Sequence, residues 1–269
     1  MSRNVREADC DSSGNDVTPA DWTAVIPAAG QGSRLGYAQP KILFPLLGRP
    51  IMDWLLDSLR PVCSRYVFVV SPAGEKQVSA EVSQRLGSLA QVVVQEKPTG
   101  MGDAVLCAEP AVQTSRTLVV WGDQVTLSQR TVLRCAGLHQ RRSGAVLTFP
   151  TIMKPSPYIH VVRDESGRIT DVLQARERKI DKPVGESDCG LFLFSTSALF
   201  SGLRAARGRG VGIGASTGEF NLLQTIPTFE TSPTAVQTME ITDLTETLGV
   251  NTLEEAARAE DLLRSRALR

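Results

Sequence analysis

Cysteine is scarce and unpatterned: five in 269 residues, at positions 10, 63, 107, 135 and 189, with no C-x-x-C pair. The number is odd and the only imidazoles are His139 and His160, so neither a disulfide framework nor a zinc cluster is expected. The thiols read as reduced and mostly buried, as in a cytosolic protein. Aromatics are 5% of the chain, which leaves few rings for base stacking. Neither sign of charge is in excess, 29 Lys+Arg against 29 Asp+Glu, and this removes the electrostatic footprint of nucleic-acid or anionic-membrane binding. No apolar run approaches the roughly 18 residues of a membrane span, and the first residues lack the apolar core of a secretory signal. The expectation is a soluble cytoplasmic protein, a monomer or small homo-oligomer, with no nucleic-acid or membrane partner.

What is present is an ordinary globular composition, 42% hydrophobic and 22% charged. Residues 1–20 are polar and are expected to form a disordered tail. From Trp22 onward, β-branched runs at 23–27, 65–70, 90–95, 116–121 and 145–150 alternate with amphipathic stretches near 50–60, 75–86, 101–112 and 128–140. That alternation is the signature of an open, largely parallel α/β sheet. After Pro150 the rhythm changes. YIHVVRDESGRITDVLQ reads as an antiparallel hairpin and LFLF (191–194) as a further strand, and Ser197 is placed to cap a helix running to Ala206. The stretch 208–218 holds too many glycines for a regular element and is expected to be mobile. Asn251 stands where the N-cap of a closing helix belongs. One domain, 21–269, is expected in two lobes: a parallel half over about 21–150 and a hairpin-bearing half over about 151–250, closed by a helix at 251–267.

The first strand runs into AAGQGSRLGYAQPK (28–41). Small residues at Ala28, Ala29, Gly30 and Gly32 let backbone N–H groups approach an anion, and Ser33, Arg34 and Lys41 add a hydroxyl and two cations. The dinucleotide fingerprint fails, because the third glycine, Gly36, comes one residue late and the next strand ends in Val-Ser without an acidic residue. The Walker A pattern fails for want of G-K-[ST]. A polyphosphate cradle is the reading that survives.

VIPAAGQGSRLGYAQPKILFPLLGRPI resembles the signature loop of the sugar-phosphate nucleotidyltransferases, and most of all that of the uridylyltransferase half of bacterial N-acetylglucosamine-1-phosphate uridylyltransferase, as far as Gly48, Arg49 and Pro50. The resemblance implies an α/β, Rossmann-like nucleotidyltransferase fold with a mostly parallel mixed central sheet and a smaller acceptor-binding lobe. QEKPTGMGDAV (95–105) resembles the second nucleotide loop, implying that Gln95 reads a base edge beside Gly100, Met101 and Gly102. VVWGDQVTL (119–127) resembles the strand end in which Gly122 precedes a metal-binding aspartate, here Asp123. TLGVNTLEEAARAE resembles the closing segment whose asparagine, here Asn251, is the second metal ligand. The implied activity is Mg²⁺-dependent transfer of an NMP group from an NTP to a phosphorylated small-molecule acceptor with release of pyrophosphate. Arg34, Lys41 and Asp123 would carry the catalysis, and an Ala-Ala-Gly start with a Gln in the second loop points to UTP before CTP, and to CTP before a purine NTP.

The acceptor half departs from the family. Its sugar pocket pairs a Tyr with a nearby glycine, a hairpin glutamate and an asparagine before Thr-Gly, and these positions fall on Tyr158, Ile159, Gln174 and Cys189. An acceptor other than N-acetylglucosamine 1-phosphate is therefore expected. Glu219 and Asn221 resemble a further acceptor-side segment. ARERK (175–179) reads as a solvated cationic face, with help to an acceptor phosphate as its alternative. No hexapeptide-repeat extension follows residue 269, so acetyl transfer is not expected. A cytidylyltransferase acting on a phosphoalcohol, cyclitol phosphate or phosphonate is the alternative, and a non-catalytic nucleotide sensor a further one.

Overall fold

The computed structural model describes residues 4–5, 22–30 and 32–267. Its strands are β1 (Asn4–Val5), β2 (Trp22–Pro27), β3 (Pro45–Leu46), β4 (Arg49–Pro50), β5 (Arg65–Val70), β6 (Ala90–Val94), β7 (Arg116–Val120), β8 (Leu147–Pro155), β9 (Ile159–Arg163), β10 (Ile169–Gln174), β11 (Val184–Asp188), β12 (Leu191–Ser195) and β13 (Val236–Glu240). Its helices are α1 (Ile51–Leu59), α2 (Glu75–Leu86), α3 (Met101–Cys107), α4 (Gln129–Arg141), α5 (Thr196–Gly208), α6 (Leu222–Thr225) and α7 (Leu253–Ala267). The expected disordered tail lies outside the described residues, apart from Asn4–Val5, which add a short parallel strand beside β13.

The central sheet runs β6-β5-β2-β7-β12-β8-β13-β1, with β11 paired to the outer part of β8. Neighbours β6, β5, β2 and β7 are parallel, as the alternating pattern requires. The fifth run does not join β7 directly. β12, whose Leu191, Phe192, Leu193 and Phe194 are all buried, wedges between β7 and β8 and pairs antiparallel with both. A strand apolar on both faces gains most from a central position, and this one arrives late in the chain. Successive residues of β2 feed opposite faces of the sheet: Ala24 and Ile26 join the core under α1, α2, α4 and α7, and Val25 the core under α3, α5, α6 and the β9–β10 hairpin.

Helix ends differ from expectation where local chemistry competes. α3 stops at Cys107 and passes into a tighter turn at Glu109–Ala111, because Pro110 has no N–H to continue the ladder. α5 starts at Thr196 after Ser195, so Ser197 lies inside its first turn and caps nothing. The N-cap of α7 is Thr252 and not Asn251: the Thr252 hydroxyl accepts the Glu255 N–H at 3.2 Å while the Glu255 carboxylate accepts the Thr252 N–H at 2.9 Å. The glycine-rich loop is irregular, as expected, but it is moored. The buried Glu177 carboxylate accepts the Ser216 N–H at 3.0 Å and the Thr217 hydroxyl at 2.6 Å. Among the described residues no helix is long and apolar enough to cross a membrane.

Candidate active site

A cleft of about 800 Å³ opens where β2 and β7 end, on the carboxyl edge of the parallel strands, where open α/β sheets place their ligands. Ala28, Gly30, Arg34, Lys41, Met101, Gly122, Asp123, Tyr158, Ile159, Gln174, Asn221 and Asn251 line it, so both lobes contribute. Residues 170 or more apart in sequence thus meet in one concavity, as the ordered motifs imply.

The loop after β2 is shaped by its own hydrogen bonds. Gly32 O accepts from Leu35 N at 2.9 Å and Tyr37 N at 3.0 Å, and Gly30 O accepts from Lys41 N at 3.2 Å. A Cβ on Gly32 would lie 2.9 Å from Tyr37 O, so this glycine is required by the turn itself. Ala29, Gly32 and Ser33 do not line the cleft, while the exposed Arg34 and half-buried Lys41 do.

Lys41 Nζ lies 2.7 Å from Asp123 Oδ2 and 2.9 Å from Asn251 Oδ1, and Arg34 Nη2 donates to the same Asn251 oxygen at 3.5 Å. Two hard oxygens from distant parts of the chain therefore converge on one cation. An oxygen pair already gathered round an ammonium fits a hard divalent ion, which is held by one or two such side chains plus substrate phosphates. Asn251 can serve because Thr252 has taken over the cap, leaving its carboxamide free to turn inward. Among the described residues no group of three or more His, Cys, Asp or Glu side chains comes together as a metal cluster.

The second loop is tighter than its motif suggests. Gln95 is buried and its Nε2 donates to Gly100 O at 3.0 Å, so the amide braces the loop from behind, and Gln95 and Gly100 do not line the cleft. Gly102 N donates to Phe220 O and Phe220 N to Thr99 O, both at 2.8 Å. A Cβ on Gly102 would fall 2.6 Å from the Phe220 ring. Packing against Phe220 thus already accounts for the small residues, and Met101 is the one that faces the cleft.

At the other end of the cleft Tyr158 and Ile159 enter from the start of β9 and Gln174 from the end of β10. Cys189 does not reach the cleft. Its side chain is fully buried in the core under the helices, and burial pushes its thiol well above the ordinary range. The neighbouring Asp188 lines the cleft instead, since one step along a strand reverses the side chain's face. Its Oδ2 accepts Gly190 N–H at 2.8 Å, and burial raises its pKa above the usual carboxylate range, with Lys154 opposing. Glu219 also stays off the wall and pairs with Arg176 at 2.9 Å. The Arg176 guanidinium, a cleft residue, donates to Asn221 Oδ1 and to Gln174 Oε1, the latter at 3.3 Å. Sequence reasoning missed Trp121, Lys154, Ser187 and Asp188 as lining residues and took Arg176 for part of a solvated face. The cationic run around Arg176, the motif one residue past Asp188 and the VVWGDQVTL segment that holds Trp121 carried a signal; Lys154 and Ser187 carried none.

Comparison with known proteins agrees with this geometry. The profile of the MobA-like NTP transferase domain matches residues 24–210. The bifunctional protein GlmU of Pelotomaculum thermopropionicum is 29% identical over 253 residues, 92% of this chain and 53% of the relative. That of Burkholderia mallei is 32% identical over 238 residues, 88% of this chain and 51% of the relative. The chain thus spans about half the length of the curated relatives it matches. Among solved structures, the inositol-1-phosphate CTP transferase from T. maritima superposes with a TM-score of 0.68 at 18% identity, covering 92% of this chain and 97% of that one. A putative glucose-1-phosphate thymidylyltransferase from Bacillus anthracis gives 0.69 at 16% identity, covering 90% and 95%. These two share the fold.

Proposed function

The chain belongs to the MobA-like NTP transferase domain family, and from that premise we propose that it transfers an NMP group, UMP first among the candidates, from an NTP to a phosphorylated small-molecule acceptor, releasing pyrophosphate. The observation that carries this reading is the convergence of Arg34, Lys41, Asp123 and Asn251 on one point of the cleft wall. An acceptor phosphate oxygen bonds to the α-phosphorus as the bond to the bridging β-phosphate oxygen breaks. The nucleophile is already anionic near neutral pH, so the site has no need of a general base, and positioning and charge neutralisation supply the catalysis. Arg34 neutralises the departing β- and γ-phosphates, and Lys41 the α-phosphate. Asp123 and Asn251 would hold Mg²⁺, which when bound withdraws charge from the phosphates.

UTP is favoured by the GlmU relatives at about 30% identity. CTP is the second reading, favoured by the T. maritima CTP transferase that shares the fold along 92% of this chain. An acceptor other than N-acetylglucosamine 1-phosphate is supported by Ile159, Gln174 and the buried Asp188 at its end of the cleft. The test is divalent-dependent pyrophosphate release from each NTP, crossed with sugar 1-phosphates, phosphoalcohols and phosphonates. Lys41→Ala and Asp123→Ala are each expected to lower turnover about 10²-fold, the worth of one preorganised charge. Turnover of either variant near the wild-type rate would overturn the assignment, and NTP binding without release across the panel would favour a nucleotide sensor.

A further inference from the structure

We propose that Glu255 is a positioning residue for the cation site: it sets the backbone from which Asn251 presents its carboxamide. The inference rests on the reading of Asp123 and Asn251 as a divalent-cation pair. In a reciprocal capping box the carboxylate at the third helical position takes the N–H of the capping residue. Here Glu255 Oε2 takes two, Thr252 N–H at 2.9 Å and Asn251 N–H at 2.8 Å, one residue further back. The second bond has no role in closing the helix. It fixes Asn251 itself, whose Oδ1 stands 2.9 Å from Lys41 Nζ. From the other side Val250 N–H donates to Asp123 O at 3.2 Å, and Gly249 bridges to Gln124. Asn251 is thus gripped between the end of the catalytic strand and the start of α7, and Glu255 supplies the helix-side grip from the cleft wall.

Thr252→Ala removes the hydroxyl that accepts Glu255 N–H but leaves the carboxylate bond to Asn251 N–H, so it weakens the cap alone. Glu255→Ala removes the carboxylate bonds to both Thr252 N–H and Asn251 N–H, and Thr252→Ala is the control for its loss of capping. The measurement is Mn²⁺ affinity of the full chain, read by electron paramagnetic resonance, alongside the melting temperature. Glu255→Ala is expected to weaken Mn²⁺ about tenfold or more, the usual cost of losing a group that orients a metal ligand. Glu255→Gln, which keeps an acceptor oxygen, restores most of it, and Thr252→Ala lowers Tm without moving Mn²⁺ affinity. If Asp123→Ala weakens Mn²⁺ and Glu255→Ala does not, the inference is wrong and the cation pair stands. If Asp123→Ala leaves Mn²⁺ affinity unchanged, the cation reading fails and takes the inference with it.

Discussion

Asp188 shows how a single side chain trades stability for chemistry. Its carboxylate is buried at the cleft wall, and burial raises its pKa against the opposing pull of the Gly190 N–H and the Lys154 charge. A raised acid favours the fold fully below the ordinary aspartate range and loses that favour as pH climbs through the raised value. Asp188→Asn keeps the acceptor oxygen for Gly190 and abolishes the charge. It is therefore expected to raise Tm near pH 8, with the gain vanishing under acid conditions where the wild-type carboxyl is already neutral; a gain independent of pH would show that charge burial is not its source. The lowered activity expected of the same variant would tie the cost to acceptor recognition. In the sequence Asp188 was overlooked for its neighbour Cys189, because a motif locates a strand more surely than it locates which of two adjacent side chains points inward.

At the scale of elements, the loop before α3 has the least tolerance. Gly100 has φ +115°, a conformation that L side chains rarely adopt, and an added Cβ would lie 2.7 Å from Phe220 N. Gly100→Ala is expected to cost more than about 2 kcal/mol, read from the urea midpoint. Gly208→Ala, at the end of α5 with no atom within 4 Å of the added methyl, is expected to be neutral or slightly stabilising. Equal effects at the two sites would refute the packing argument. Element positions were legible because periodicity is local: α1, α2 and α4 fall where the apolar spacing puts them. Helix ends were less so: α5 begins directly after Ser195, which leaves Ser197 inside its first turn, and Thr252, paired with Glu255, takes the cap of α7 that Asn251 is equally competent to fill.

For the whole molecule, His139 links the sheet to pH. It stands on α4, its ring 5.5 Å from Trp22 and its Nδ1 2.9 Å from the Thr148 hydroxyl. Burial, with the Arg116 charge adding to it, pushes its pKa down to about 4. A lowered histidine supports the fold fully above the ordinary value near 6.5, and that support is lost as pH falls toward 4. Global stability is expected to fall by up to about 3 kcal/mol across that window through this residue. His139→Gln should flatten the dependence of the urea midpoint on pH between 7 and 4.5. An unchanged slope would assign the acid sensitivity elsewhere.

Patterns that act over short stretches of chain were enough to read the parallel half, the hairpin and the loop after β2, and to single out Arg34, Lys41, Asp123 and Asn251, which the fold brings together. Spacing within a few residues is set by backbone geometry that any strand or helix repeats. The insertion of β12 between β7 and β8 was not readable in this way, nor the gathering of Asp188, Lys154 and Arg176 on one cleft wall, nor the packing of Phe220 against the glycines of the second loop. Those features depend on which distant segments bury one another, and burial is decided by the assembled sheet, where each strand's neighbours and facing side chains are first fixed.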